Sequence, residues 1–161
     1  MAAIEPESVG LADEQQQVAF ASAVQSAAEL VTKGELTAAV RPLADFVFND
    51  EEIATLEDAG YLEATGRYIP NLINFIQQLM QYEDITADDP AVLSEVSAPV
   101  MVLQGSSTKP LAVTSARHVF EHVSDARIQE IPGAGHAAPL THSEALAGAL
   151  AEFFEPVQQR A

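Results

Sequence analysis

A chain of 161 residues, 48% of them hydrophobic, suits one domain with a buried core. Seven Lys and Arg face 24 Asp and Glu, and a net charge of −17 argues against phosphate backbones and anionic lipid surfaces as partners. Cysteine is absent, which removes disulfides, thiolate metal sites and a thiol nucleophile. No basic segment leads into an apolar run at Met1, and no run reaches membrane-spanning length. Those features point to a soluble, cytoplasmic chain.

Pro6 disfavours helical backbone at Glu5, so Glu5-Pro6-Glu7-Ser8 is extended or a turn. Asp13 is placed to cap a long helix through Lys33, which Gly34 ends. Its apolar stripe is Phe20, Val24, Ala27, Ala28 and Val31. Glu35 to Phe48 predicts a second helix with Pro42 as a kink. Asp50 is the expected cap of a short third helix ending near Gly60. Beyond Pro70, the spacing of Leu72, Ile73, Phe75, Ile76, Leu79 and Met80 predicts a fourth. This face, Met80 included, is read as core rather than as an acyl pocket. Glu83 to Asp89 is acidic and turn-prone, the nearest thing to a linker, and Asp89-Pro90 opens another turn or two before Ser97.

The pattern then changes. Val100 to Gln104 is a short apolar run that meets Gly105, as a buried strand does. Leu111 to Val123 has apolar residues at helical spacing, Val113, Ala116, Val119, Phe120 and Val123. Arg127 to Ile131 reads as a second strand, running into Pro132-Gly133-Ala134-Gly135-His136. Thr141-His142-Ser143-Glu144 fits a capping box, followed by Leu146, Leu150, Phe153 and Phe154 along one helix face. Helices followed by strand–helix–strand–helix make the fold class α/β. A histidine on a glycine-flanked loop past a sheet edge suits acid–base work near neutral pH.

A rival motif is His118-Val119-Phe120-Glu121-His122, two histidines one helical turn apart as in zinc proteases. On a helical wheel both fall opposite the apolar stripe, so they are expected to face solvent, and no third ligand is identifiable. Neither a metal nor a cofactor is expected, and Lys109 is assigned no role.

From Pro99 onward the chain resembles the carboxyl-terminal end of the α/β-hydrolase family, on the strand into Gly105 and on Ile131-Pro132-Gly133-Ala134-Gly135-His136. The resemblance implies a partial α/β-hydrolase fold, a short parallel sheet with a helical cap insertion. Residues 1–9 would be a stub of the sixth strand with the acid loop, 10–96 the cap, and 97–161 the last strands and helices. Ala2–Ile4, Val100–Gln104 and Arg127–Ile131 would be neighbouring parallel strands. By resemblance His136 is the triad base. Many members carry an Asp shortly after the glycine of the seventh strand, whereas Ser106, Ser107 and Thr108 stand here. Other members take the acid from the end of the sixth strand, where Glu5 stands after Ala2-Ala3-Ile4.

The family's nucleophile sits in Gly-x-Ser-x-Gly after the fifth strand, and no such pentapeptide occurs. Gly105-Ser106-Ser107 lacks the second glycine and belongs to another strand. The resemblance thus implies the carboxyl-terminal part of an esterase- or lipase-like hydrolase for a small ester or related substrate, without its nucleophile. Two alternatives stay open, an inactive hydrolase-like binding or interaction module and a small α/β domain of accidental likeness. Missing strands would leave apolar surface exposed and favour self-association.

Overall fold

Val100-Met101-Val102-Leu103 has no polar interruption, the pattern of a strand covered on both faces. In the computed structural model, which describes residues 1–4, 6, 8–79, 81 and 88–158, this run lies at the centre of a sheet. The elements in order are β1 (Ala2–Ile4), a 3-10 turn (Val9–Leu11), α1 (Glu14–Thr32), α2 (Leu36–Val47) and α3 (Asp50–Asp58). Next come α4 (Tyr61–Gly66), α5 (Ile69–Leu79), α6 (Pro90–Ser94), β2 (Val100–Gly105) and α7 (Pro110–His122). The chain continues with β3 (Ala126–Ile131), α8 (Ala138–Thr141) and α9 (Ser143–Gln158).

The chain divides into two compact units, Met1–Leu11 with Thr86–Ala161, and Ala12–Ile85. The first holds the sheet, ordered β1-β2-β3, with both neighbouring pairs parallel as expected. Ala2 pairs with Met101 and Ile4 with Leu103; Val100 pairs with Ala126 and Gly105 with Ile131. Alternate residues of β2 enter opposite cores. Val100 and Val102 pack with Ala116 and Val123 of the α7 segment, flanked by Leu93, Val96 and Val119. Met101 and Leu103 pack with Ile131, Ala134 and Ala138, and with Leu146 and Ala149 of α9. Helices therefore cover both faces of the sheet.

The second unit is helical. Its core joins Val24 and Ala27 of α1, Ala39, Val40, Leu43 and Ala44 of α2, Leu62 of α4, and Ile69 and Ile73 of α5. Asp13 caps α1 as expected: its carboxylate accepts the Gln16 N–H at 2.8 Å, and the Gln16 side chain accepts the Asp13 N–H at 3.0 Å. Gly34 follows the end of α1 at φ 78°, where a Cβ would be strained. On the surface, Arg41 meets Asp45 and Glu57, each at 2.6 Å, linking α2 to α3. The hydrogen bond and charge of Asp45 raise the guanidinium pKa further.

Local expectations shift at several points. The cap of α3 is Asn49, not Asp50: its side chain accepts the Glu52 N–H at 2.9 Å, and the Glu52 carboxylate accepts the Asn49 N–H at 3.2 Å. That reciprocal pair satisfies Glu52, which is buried. A further helix, α4, restarts after Gly60; with Leu62 its one buried apolar side chain, it is too short to show a period. In α7 the buried face is Leu111, Ala112, Ser115 and Ala116, while Phe120 is exposed. The stripe is thus rotated towards small residues, because a helix lying close on a sheet needs short side chains beneath it. Thr141 does not cap α9. Its hydroxyl donates to the Ala137 carbonyl at 3.1 Å, closing α8, and α9 begins at Ser143.

Burial sets an order on substitutions in the sheet. Leu103 is 1% exposed and Ile128 is 42% exposed. Leu103→Ala is expected to cost about 2–5 kcal/mol through the cavity it leaves. Ile128→Ala on the edge strand should cost about 1 kcal/mol or less. Urea titration followed by circular dichroism checks the order, and equal costs would contradict the central placement of β2.

Candidate functional site

β2 and β3 end at the same level, Gly105 beside Ile131, so their exit loops meet at the carboxyl edge of the sheet. The meeting is a set of backbone bonds. Ser106 N–H donates to the Ile131 carbonyl at 3.1 Å, Ser107 N–H to the Ala134 carbonyl at 2.8 Å, and Ala134 N–H to the Ile131 carbonyl at 3.2 Å. The Ser106 hydroxyl oxygen accepts the Gly133 N–H at 2.7 Å. Two glycines make this contact possible. Gly133 has φ 76°, a left-handed conformation that disfavours a side chain. A Cβ on Gly105 would stand 2.1 Å from the Ala134 carbonyl oxygen.

This joint delivers His136. Ala134 and Gly135 before it and Ala137 and Ala138 after it are buried, while the histidine is half-buried. Its Nδ1 is closed off from solvent. A carboxyl-edge loop that brings an imidazole partly into the open is equipped for proton transfer. Glu5, the expected acid, lies outside the described residues; β1 is described as far as Ile4, paired with Leu103.

The other histidines have different settings. His118 and His122 are half-buried instead of facing solvent. The His118 Nε2–H donates to the Asp88 carbonyl at 2.6 Å, and the His122 Nδ1–H to the His118 carbonyl at 2.9 Å. Their ring centroids lie 4.3 Å apart, with the planes tilted by 42°. The cause is the turn at Asp88, which packs against α7 and which the periodicity of α7 alone does not reveal. Ser8 holds that turn, its hydroxyl donating to the Asp88 carboxylate at 2.6 Å and its N–H to Ser115 Oγ at 3.0 Å. Among the described residues, no group of three or more His, Cys, Asp or Glu is placed to hold a metal ion.

His142 is nearer the loop. A Cβ on Gly133 would lie 3.4 Å from its Nε2. Because Thr141 Oγ1 spends its proton on Ala137, it accepts the His142 Nδ1–H at 2.9 Å. The sequence pattern places His142 inside a capping box, and shows Ser106 as a serine without a nucleophile turn and as one of the residues standing where many family members carry an Asp. Neither position carries a signal in a single sequence, since both depend on contacts to a neighbouring loop.

Gly105→Ala tests the joint. The added methyl meets backbone atoms of Ala134 and Gly135 rather than the end of a flexible side chain, so a loss of about 1–3 kcal/mol or more is expected. Gly148→Ala on the open side of α9, with nothing within 4 Å, is expected to stabilise by about 0.5–1 kcal/mol. Urea midpoints of the two variants, compared with the parent, should move in opposite directions.

No protein-family model matches the chain, and no curated protein matches it. Solved structures do. It is similar to MGS-M2, an α/β hydrolase enzyme from a Medee basin deep-sea metagenome library, at 14% identity and a TM-score of 0.61. An α/β hydrolase from Sphaerobacter thermophilus is similar at 19% identity and 0.60. So is BpoC of Mycobacterium tuberculosis, named as a non-heme bromoperoxidase, at 19% and 0.57. The likenesses cover 96%, 95% and 97% of this chain and 55%, 57% and 57% of those chains. The chain spans a little over half the length of the proteins it matches, and its fold is part of an α/β-hydrolase fold.

Proposed function

We propose that the chain supplies the base and the acid of a hydrolase site, with His136 as base, Glu5 as acid, and a nucleophile contributed from outside these residues. The seating of His136 carries this reading. Its Nδ1 is closed off from water, the side from which an acid would orient the ring, on a loop held at the carboxyl edge of a parallel sheet. Register supports Glu5: Ile4 pairs with Leu103, two residues short of Gly105, and Glu5 is the next residue in the chain. No carboxylate stands in Ser106-Ser107-Thr108-Lys109, the stretch that follows Gly105.

In such a site the imidazole takes the proton of the nucleophile as it attacks an ester carbonyl, and the carboxylate stabilises the imidazolium. The proton passes to the leaving alcohol. The same imidazole then activates water to release the acid and free the nucleophile. A small ester or related compound in the cytoplasm is the substrate on this reading. The test is turnover of a short activated ester. The 161-residue chain alone should show no turnover above its His136→Ala control. A longer in-frame product carrying Gly-x-Ser-x-Gly upstream should turn over, and lose at least about a thousandfold on His136→Ala. Turnover of that product indifferent to His136→Ala would overturn the reading.

A second reading, a hydrolase-like interaction module, is favoured by one observation. Leu72, Phe75 and Leu79 of α5, expected in the core, are 42%, 57% and 38% exposed, and with Tyr68 just before the helix, 57% exposed, they recur at four-three-four spacing. That is the spacing of a helix–helix seam. No charged residue occurs from Tyr68 to Gln81, so two copies of this face meet without the repulsion that a charge of −17 imposes elsewhere. Self-association is the expected outcome by size-exclusion chromatography. A Leu72→Gln, Phe75→Gln variant should elute later than the parent at equal concentration.

A further inference from the structure

We infer that Ser106 is a positioning residue for His136, an inference that rests on reading His136 as a base. Ser106 grips the turn before the histidine at two points. Its N–H donates to the carbonyl of Ile131 at 3.1 Å, where β3 ends. Its Oγ accepts the N–H of Gly133 at 2.7 Å. Between those points lies Pro132, which has no N–H to give, so Gly133 offers the first free donor after the strand. Gly133 is also where the backbone turns left-handed, at φ 76°, and the direction of the chain towards His136 is set there. A hydroxyl oxygen in place at that N–H fixes the turn in one of the conformations open to glycine.

The bond is not needed to hold the sheet together. β2 and β3 are already in register over six residue pairs through Gly105 and Ile131, and Ser107 N–H secures the loop separately at Ala134. The Ser106–Gly133 bond is exposed, and an exposed hydrogen bond adds little to global stability. What it constrains is local: the exit angle of a glycine three residues ahead of the imidazole. Ser106 thus serves the site by holding the histidine loop, and its hydroxyl is engaged in that contact.

The experiment uses the 161-residue chain with histidine rings and backbone amides labelled with nitrogen-15, His136→Ala assigning the His136 ring signals. Ser106→Ala should speed hydrogen exchange at the Gly133 amide by about tenfold or more. It should also shift the His136 ring signals towards those of the urea-unfolded chain. The urea midpoint and the ring signals of His118 and His122 should hold, and Ser106→Thr, which keeps a hydroxyl, should restore both readouts. Unchanged His136 signals in Ser106→Ala, or no rescue by threonine, would overturn the inference, as would collapse of the whole spectrum, which would make the role structural. Were the parent's His136 ring already to match the unfolded chain, the base reading itself would fall. An ordered ring indifferent to Ser106 removes only the positioning role.

Discussion

The approach of the Ala134 carbonyl to Gly105 is the contact on which the carboxyl edge of the sheet depends. A side chain at Gly105 would occupy the space of that oxygen, so the exit of β3 folds back over β2 only because residue 105 has none. The backbone bonds of Ser106 and Ser107 then close the joint. Everything downstream inherits its geometry. Ala134, Ala137 and Ala138 are nearly fully buried, and a loop packed this close tolerates only small side chains. The same turn launches α8 and then α9, whose Leu146 and Ala149 reach Met101 and Leu103. The carboxyl edge and one face of the sheet are thus set by one steric fact.

The other face depends on α7, and there the constraint is thickness. Ala112 and Ala116 are fully buried, which lets the helix lie close on Val100 and Val102. Ser115 is buried too, and it accepts the N–H of Ser8, so α7 holds the strand behind it as well as the chain leaving β1. β1 joins β2 although the whole helical unit lies between them in sequence. Closing so long an intervening segment costs only logarithmically more than closing a short one. A unit with its own core also shortens the effective loop, because its helices form by local contacts.

How much of this was legible in the sequence follows from the range of each interaction. β2, β3 and their parallel pairing were legible, since an apolar run into glycine and a helix-length connection leave few other arrangements, whereas β1 and its place beside β2 rested on the family resemblance. The α1 cap was legible because Asp13 and Gln16 satisfy each other within one turn. The α3 cap slipped by one residue because Asn49 and Asp50 are both good capping types and the reciprocal partner, Glu52, decides between them. His118 departs from the expected solvent-facing position for a longer-range reason: its acceptor, the Asp88 carbonyl, lies thirty residues away, and no pattern within α7 encodes it. Ser106 is the same case at the candidate site. Its partner, Gly133, lies across the sheet edge, so a lone serine in a loop gave no sign of the contact.

The likeness to α/β hydrolases is one of fold, and a fold hosts many chemistries, so any function has to be argued from the residues at the edge. Those residues constrain one another. In this chain the loop after β2 is occupied in holding the histidine loop: Ser106 and Ser107 both spend N–H groups on it, and Ser106 spends its oxygen as well. On the proposed reading, a carboxylate to orient His136 then has to come from another strand, and β1 is the strand that pairs with β2 on the side away from β3. Dividing the work in this way gives each strand end one task. On that reading β3 would carry the base, β2 would fix the loop that presents it, and β1 would lead into the acid. An acid on β1 is also one step further from the histidine in the sheet than an acid on β2 would be. On the proposed reading the exit angle of the histidine loop would therefore matter more, and the contacts that Gly105 and Ser106 make with that loop are what bear on it.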